Sequence, residues 1–373
     1  MTRLYRFPIA SAFLIATLGA FWTWPAFAAP VPIPRTPKVE VVFCLDTTGS
    51  MSGLISAAKQ KIWAISNQIT NGKPTPDLKI GLLAFRDRKD EYVTKVVALT
   101  DDLDAIHAQL QKFVAIGGGD GPESVNQALD DAVNKIKWSK SKKVMKIIFL
   151  VGDAPPHMDY PDDVKYPETC KGAVRKGIII NSILCGNDGT AAKVWQEVCA
   201  SANGSYAKIA QTGGVVTVKT PFDARLAEIN RKLTETTVVF GRKEKREADK
   251  KKAAAAAALP GGVAADRAGY VAKSRRAAPY DLIDAIRSRK VKLEDLKPEE
   301  LPEDLRKMKP EERKAHLDKL REERTKLTTE ALELDKKRNE FIRKEISKKG
   351  KDSFDNQVLE ALRKQAKAYR IAY

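Results

Sequence analysis

Histidine and cysteine are scarce in this 373-residue chain, which holds three of the first and four of the second. His107, His157 and His316 lie far apart and no Cys-x-x-Cys occurs, so a zinc site of spaced thiolates and imidazoles is not expected. Aromatic residues make up only 7 % and are not interleaved with the basic ones as in a nucleic-acid stacking platform. Past the first 28 residues no apolar run approaches the length of a membrane-spanning helix. What remains is a hydrophobic content of 43 %, enough for a sizeable core in a chain longer than one typical domain.

The first 28 residues read as a secretory signal peptide. Arg3 and Arg6 form a basic start, residues 9–22 an apolar stretch, and Ala26-Phe27-Ala28 a small-x-small cleavage site before Ala29. An uncleaved anchor is the alternative. The mature protein is expected to be exported, to periplasm or medium, and soluble. Export permits disulfides, and Cys44, Cys170, Cys185 and Cys199 allow three full pairings. Cys44 lies inside an apolar strand and Cys199 well down a helix, where each reads as buried core. Cys170 opens a helix and Cys185 closes the strand after it. A right-handed βαβ unit brings both positions to one edge of the sheet, so Cys170–Cys185 is the expected pair.

Residues 39–51 read VEVVFCLDTTGSM, an apolar strand that runs into a loop of one carboxylate and several hydroxyls. Asp46, Thr48 and Ser50 stand at alternate positions, so in extended chain three hard oxygen donors point the same way. Such donors suit Mg²⁺, Mn²⁺ or Ca²⁺. Asp and Ser are also favoured helix caps, and Asp46 and Ser50 could serve the helix that starts near Gly53 instead. The Asp-x-Thr-x-Ser pattern closing an apolar strand resembles the metal-ion-dependent adhesion site of the von Willebrand factor type A family.

That resemblance implies two further loops at the same sheet edge. The second is IGGGDGPES (116–124), carrying Asp120 with Glu123 just behind, where many family members have Thr. The third follows the strand MKIIFLVGD (145–153) and carries Asp153. The implied ligand set is Asp46, Thr48, Ser50, Asp120 and Asp153, with the hydroxyls of Thr48 and Ser50 binding directly and Asp46 and Asp153 acting through water. Whether Asp120 or Glu123 fills the second-loop position stays open. The run GLLAFRD (81–87) and the stretch INSILCGNDGT (180–190) resemble the same family.

The fold class expected is α/β, a doubly wound and mostly parallel sheet over residues 38–240, with a mainly helical extension behind it. A Pro-rich spacer (29–37) precedes the sheet. Strands are expected at 39–45, 78–85, 93–98, 145–151, 178–185 and 205–209, the third of them an antiparallel edge. Helices fit at 53–70, 102–113, 123–137, 167–176, 190–203 and 222–235. Residues 241–280 read as a charged, Ala-rich linker or frayed helix, and residues 281–373 as a basic helical region. Along 311–346, Leu320, Leu327, Leu334 and Phe341 repeat at seven, but the companion seam of Leu317, Arg324, Ala331, Arg338 and Glu345 holds two arginines. This makes a poor coiled coil. Folding back on 354–371, whose Phe354, Val358, Leu362 and Tyr369 form one apolar stripe, is the expected use of the long helix.

Two-thirds of the formal net charge of +18 lies past residue 240. The positives there are interleaved with acids at helical spacing, so nucleic acid is not expected as a partner, while anionic envelope polymers or lipid headgroups are candidates. The function implied by the resemblance is metal-dependent protein binding, in which Mg²⁺ (or Mn²⁺ or Ca²⁺) accepts a carboxylate from an acidic residue of the partner. A metal-dependent hydrolase using Asp120, Glu123 and His157 is an alternative. It is disfavoured because Asp46 is followed by Thr47-Thr48 rather than a second Asp, and no Gly-x-Ser-x-Gly elbow surrounds Ser50. Self-association through the basic tail is a third reading.

Overall fold

The unbroken apolar runs of the sequence become the interior strands of one six-stranded sheet, ordered β3-β2-β1-β4-β5-β6. The computed structural model describes residues 36–119, 121–214, 217–346 and 353–373. The expected signal peptide, all but the last two residues of the spacer, and Asp120 lie outside the described residues. The strands are β1 (Lys38–Asp46), β2 (Asp77–Phe85), β3 (Thr94–Thr100), β4 (Val144–Gly152), β5 (Ile178–Cys185) and β6 (Tyr206–Ile209). All neighbouring pairs are parallel except β2 with β3, the antiparallel edge that the charged loop 86–91 predicts. β4 is buried at every position, as a parallel strand covered on both faces must be.

Helices cover both faces. α1 (Ser52–Ile69) and α2 (Leu103–Gln111) lie over the odd-numbered side chains of β1, namely Val39, Val41, Phe43 and Leu45. α3 (Val125–Asn134), α4 (Tyr166–Lys176) and α5 (Gly189–Ser201) cover the opposite face with Val42 and Cys44. Local chemistry sets their ends. Asp102 and Asp188 cap α2 and α5 by accepting from Ala105 N (3.0 Å) and Ala191 N (2.6 Å). Gly177, at φ 66°, stops α4 in the left-handed conformation.

This alternation corrects the expected disulfide. All four cysteines are free and buried. Cys170 packs in the core under α3–α5, whereas Cys185 belongs to the core under α1. The two thiols therefore sit on opposite faces of the sheet, because successive strand residues point to opposite sides.

The remaining chain does not trail off. α6 (Asp223–Glu235) is followed by α7 (Lys243–Ala257), a full helix where the sequence suggested a linker or a frayed end. Then come α8 (Gly261–Ser274), α9 (Leu282–Arg287), α10 (Glu303–Arg306), the 37-residue α11 (Pro310–Ile346) and α12 (Phe354–Ala366). α8 packs on α1, and α11 packs on α6 and α8. α12 lies against α1, where Phe354, Val358, Leu359, Leu362 and Ala366 join the sheet's own core. The expected fold-back of α11 onto the 354–371 segment is thus replaced by two separate dockings. The last residues are clipped to the α1–β2 turn by reciprocal Lys73–Ala372 backbone bonds of 2.8 and 3.0 Å.

The seam with two arginines is the face that α11 buries. Leu317, Arg324, Ala331 and Arg338 are all buried. Arg324 donates to Asp281 Oδ2 (2.6 Å) and Thr236 O (2.6 Å), while Arg338 donates to Asp223 (2.7 Å) and Asp266 (2.6 Å). Lys273 pairs with Asp335 at 2.7 Å, and Asn67 of α1 donates to the same carboxylate at 2.8 Å. Another buried pair ties the helical extension to the sheet layer. Arg267 of α8 donates through Nε and Nη2 to Asp104 of α2, both at 2.8 Å, and Tyr280 adds a third bond to Asp104. Breaking such a pair leaves a buried charge alone, at about 3–5 kcal/mol. Arg267→Met is therefore expected to lose that much in urea unfolding, and Arg267→Met/Asp104→Leu to recover most of it. Equal losses in the single and double variants would contradict this account of α8.

Candidate metal centre

The parallel strands β1 and β4 end side by side, and the loops that leave them meet a third loop at the same edge. Asp46 is the last residue of β1 and is buried. Its Oδ1 accepts from Thr48 N (2.8 Å) and Thr48 Oγ1 (2.7 Å), closing a tight loop around the carboxylate. Thr48 Oγ1 lies 3.4 Å from Ser50 Oγ. Neither Asp46 nor Ser50 caps a helix: the turn at Gly49–Met51 and α1 both start without a side-chain cap bond. The three donors at alternate positions are together, with Thr48 buried and Ser50 exposed.

The second loop is zipped to the first. Ile116 N donates to Thr47 O (3.0 Å) and Gly49 N to Gly117 O (3.1 Å). Gly117 and Gly118 adopt φ 85° and 79°, which residues with a Cβ avoid. Buried Arg86 strengthens the seam by donating to Thr47 O (3.2 Å) and Val114 O (2.8 Å).

Glu123 is the second-loop carboxylate that the described residues bring to the site. Its backbone is pinned to the third loop, with Glu123 N donating to Pro155 O (2.9 Å) and His157 N to Glu123 O (3.0 Å). A Cβ added at Gly118 would lie 3.1 Å from Glu123 Oε1 and 3.2 Å from Thr48 Cβ, so this carboxylate stands beside the threonine. Glu123 Oε2 is buried and accepts no hydrogen bond. Those two backbone bonds, between residues far apart in sequence, are what hold Glu123 there.

Asp153 follows β4, partly exposed, and Gln211 Nε2 donates to its Oδ2 at 2.5 Å. Gln211 and Arg86 are the other contributors that motif reading missed. His157 has contacts of its own. It stacks on Tyr160 with ring centroids 4.1 Å apart, pairs with Asp159 (2.8 Å) and approaches Asp87 (3.5 Å).

Burial holds the Asp46 carboxyl well above its ordinary value, at about 7. The Thr48 bonds oppose that shift, and Asp153 and Asp90 add to it. Glu123 is pushed up to about 9 by burial, then by Asp46, Asp87, Asp90 and Asp153. Among the described residues no ion pair reaches Asp46, Glu123 or Asp153, and no three His, Cys, Asp or Glu side chains are grouped to hold a metal by themselves. A cation here would draw on the hydroxyls of Thr48 and Ser50 as well as the carboxylates. That all-oxygen set, with one orphaned carboxylate oxygen beside it, fits a hard divalent ion.

Residues 40–221 match the family model of the von Willebrand factor A domain. Over 98 residues the chain is 37 % identical to von Willebrand factor A domain-containing protein 7 of Homo sapiens, covering 26 % of this chain and 10 % of that protein. It is 26 % identical over 125 residues to a putative ariadne-like RING finger protein of Acanthamoeba polyphaga mimivirus, covering 32 % of this chain and 11 % of that one. The chain thus spans about a tenth of the length of these curated relatives. Among solved structures it is similar to the SpRpn10 VWA domain, at 16 % identity and a TM-score of 0.37, covering 47 % of this chain and 89 % of that chain. It is also similar to proximal thread matrix protein 1 from the mussel byssus, solved with a zinc-occupied MIDAS motif. There the identity is 16 %, the TM-score 0.35 and the coverage 46 % of this chain and 42 % of that chain.

The raised carboxyls set the sign of the pH response. In the metal-free fold Asp46 and Glu123 keep their protons to about 7 and about 9, whereas the unfolded chain releases them near ordinary carboxylate values. The folded state then binds more protons between those limits, so stability falls as pH rises through that window. The melting temperature in EDTA is expected to drop from pH 5 to pH 9 and to be restored by Mg²⁺ at the upper end. Glu123→Gln should flatten the EDTA profile and weaken Mg²⁺ binding. A flat wild-type profile in EDTA would refute the charge assignment.

Proposed function

We propose that this chain, whose residues 40–221 belong to the von Willebrand factor A family, is an exported, metal-dependent protein-binding module. Asp46, Thr48, Ser50, Glu123 and Asp153 would hold the cation, with Asp120 of the second loop a further candidate. Mg²⁺ is the ion proposed, and Mn²⁺ or Ca²⁺ suit the same donors. When bound, the cation supplies an open coordination position that takes a carboxylate oxygen from an acidic residue of the partner. The single observation that carries this reading is the buried Glu123 carboxylate with one unpartnered oxygen, set beside Thr48.

The protein's own residues then have separable tasks. Asp46 shapes the first loop by accepting two bonds from Thr48, which presents the hydroxyl pair. Exposed Ser50 and the glycines of the second loop leave the site open to a partner surface. Ile116 and Val114, both 58 % exposed, stand on that second loop as an apolar rim.

Binding is favoured over hydrolysis because Asp46 is followed by Thr47-Thr48 rather than a second Asp, and no Gly-x-Ser-x-Gly elbow surrounds Ser50. Self-association through the tail is disfavoured because the apolar stripe of α12 and the buried seam of α11 are used inside this chain. Basic side chains outside those seams remain candidates for anionic envelope polymers or lipid headgroups.

The test is association with an envelope or culture-supernatant fraction, compared in Mg²⁺ and in EDTA. Wild type is expected to retain a partner only in Mg²⁺, and Asp46→Ala to retain none, with its Mg²⁺-dependent rise in melting temperature abolished. Equal retention by Asp46→Ala would sink the reading. Loss in high salt alone would move recognition to the basic surface.

A further inference from the structure

We infer that Gln211 is the positioning residue of the metal centre, fixing Asp153 against the first loop without neutralising it; this rests on the metal-binding reading above. Gln211 lies just past β6, and its amide spans two loops. Nε2 donates to Asp153 Oδ2 at 2.5 Å and to Ser50 O at 3.2 Å, with Met51 Sδ at 3.9 Å. One neutral group thereby ties the third ligand loop to the backbone of the first.

The fold makes room for this amide on purpose-shaped backbone. Gly186, which follows β5, has φ 83°, and a Cβ there would collide with Gln211 Oε1. The same glycine donates its N–H to Ile209 O at 3.0 Å, which fixes the end of β6. On the other side, Gly213 N donates to Ala210 O (2.8 Å) and closes the turn. Gly213, at φ 78°, packs so closely on α1 that a Cβ would lie 2.8 Å from Ala57 Cβ. Its carbonyl accepts from Phe354 N of α12 at 3.2 Å. The turn that carries Gln211 is therefore held between the start of α1 and the start of α12.

A neutral amide is the group this position needs. Lysine or arginine would hold Asp153 equally well but would cancel the charge that a cation requires. Glutamate would repel Asp153 and lose the donor. Glutamine restrains one carboxylate oxygen by a hydrogen bond and leaves the negative charge in place for the ion. Partners that orient a metal ligand in this way typically change affinity 10- to 100-fold when removed.

The experiment uses the full mature chain and two readouts. In EDTA, hydrogen exchange of residues 152–154 is compared between wild type and Gln211→Ala; faster exchange in the variant is expected, and unchanged exchange overturns the tether. By titration calorimetry with Mg²⁺ alone, Gln211→Ala is expected to bind at least ~10-fold more weakly, and Gln211→Lys more weakly still. Unchanged affinity in both variants overturns the assignment. Tighter binding by Gln211→Glu also overturns it, because position 211 would then be a ligand. Wild type that takes up no Mg²⁺ defeats the metal reading and this assignment with it, a result visible before any variant is compared.

Discussion

The carboxyl edge of the sheet is organised around one electrostatic constraint: Asp46 and Glu123 are buried near Asp87, Asp90 and Asp153, and among the described residues no ion pair reaches them. Taking an ionised carboxylate out of water without a partner costs several kcal/mol, and like charges nearby add to it. Protons relieve the strain in the metal-free protein, which is why both groups hold them far beyond the ordinary range. Everything else at this edge keeps the carboxylates in place despite their repulsion. Thr48 braces Asp46, the backbone of Pro155 and His157 pins Glu123, and Gln211 restrains Asp153.

The scaffold that imposes this arrangement was largely readable. Parallel strands buried on both faces leave long apolar runs, and each of the six expected strands falls within two residues of an observed one. The first loop was singled out from the alternate positions of Asp46, Thr48 and Ser50, but Ser50 approaches Thr48 from the turn Gly49–Met51 rather than from extended chain. Between Asp120 and Glu123 the sequence leaves the second-loop position open; Asp120 lies outside the described residues, and Glu123 is held at the site by a parallel bridge to Pro156, a contact between residues far apart in sequence. Gln211 was hidden likewise, because its role exists only once β6 is laid beside β5 and Gly186 opens space for it.

The corrections to the sequence reading have physical reasons. The disulfide expectation compared positions along the sheet edge but neglected which face each side chain takes. Cys185 shares its parity with Ile183 and faces α1, whereas Cys170 rises from a helix on the other side. The arginine-bearing seam of α11 read as a poor coiled coil, and its burial within this chain was not foreseen because heptad reasoning counts apolar residues. The acids that neutralise it, Asp281 for Arg324 and Asp223 with Asp266 for Arg338, come from elements tens of residues upstream. A buried arginine becomes legible only together with its partner.

That contrast bears on the metal centre itself. Elsewhere this chain meets buried carboxylates with internal cations: Arg267 for Asp104, Arg324 for Asp281, Arg338 for Asp266 and Lys273 for Asp335. With 66 Lys and Arg against 48 Asp and Glu, basic residues are not in short supply. Yet at the carboxyl edge, among the described residues, the side chain that donates to Asp153 is a neutral amide, and Glu123 keeps an oxygen with no partner. One polypeptide therefore treats the same chemical group in two ways. Where a carboxylate serves the fold, a guanidinium or ammonium closes on it and the site is complete. Where the loops open to solvent, the positive charge is withheld, and the geometry is maintained by hydroxyls, backbone and an amide that do not compete for it. Under the proposed function, a cation from outside completes such a site and makes association with a partner conditional on that cation.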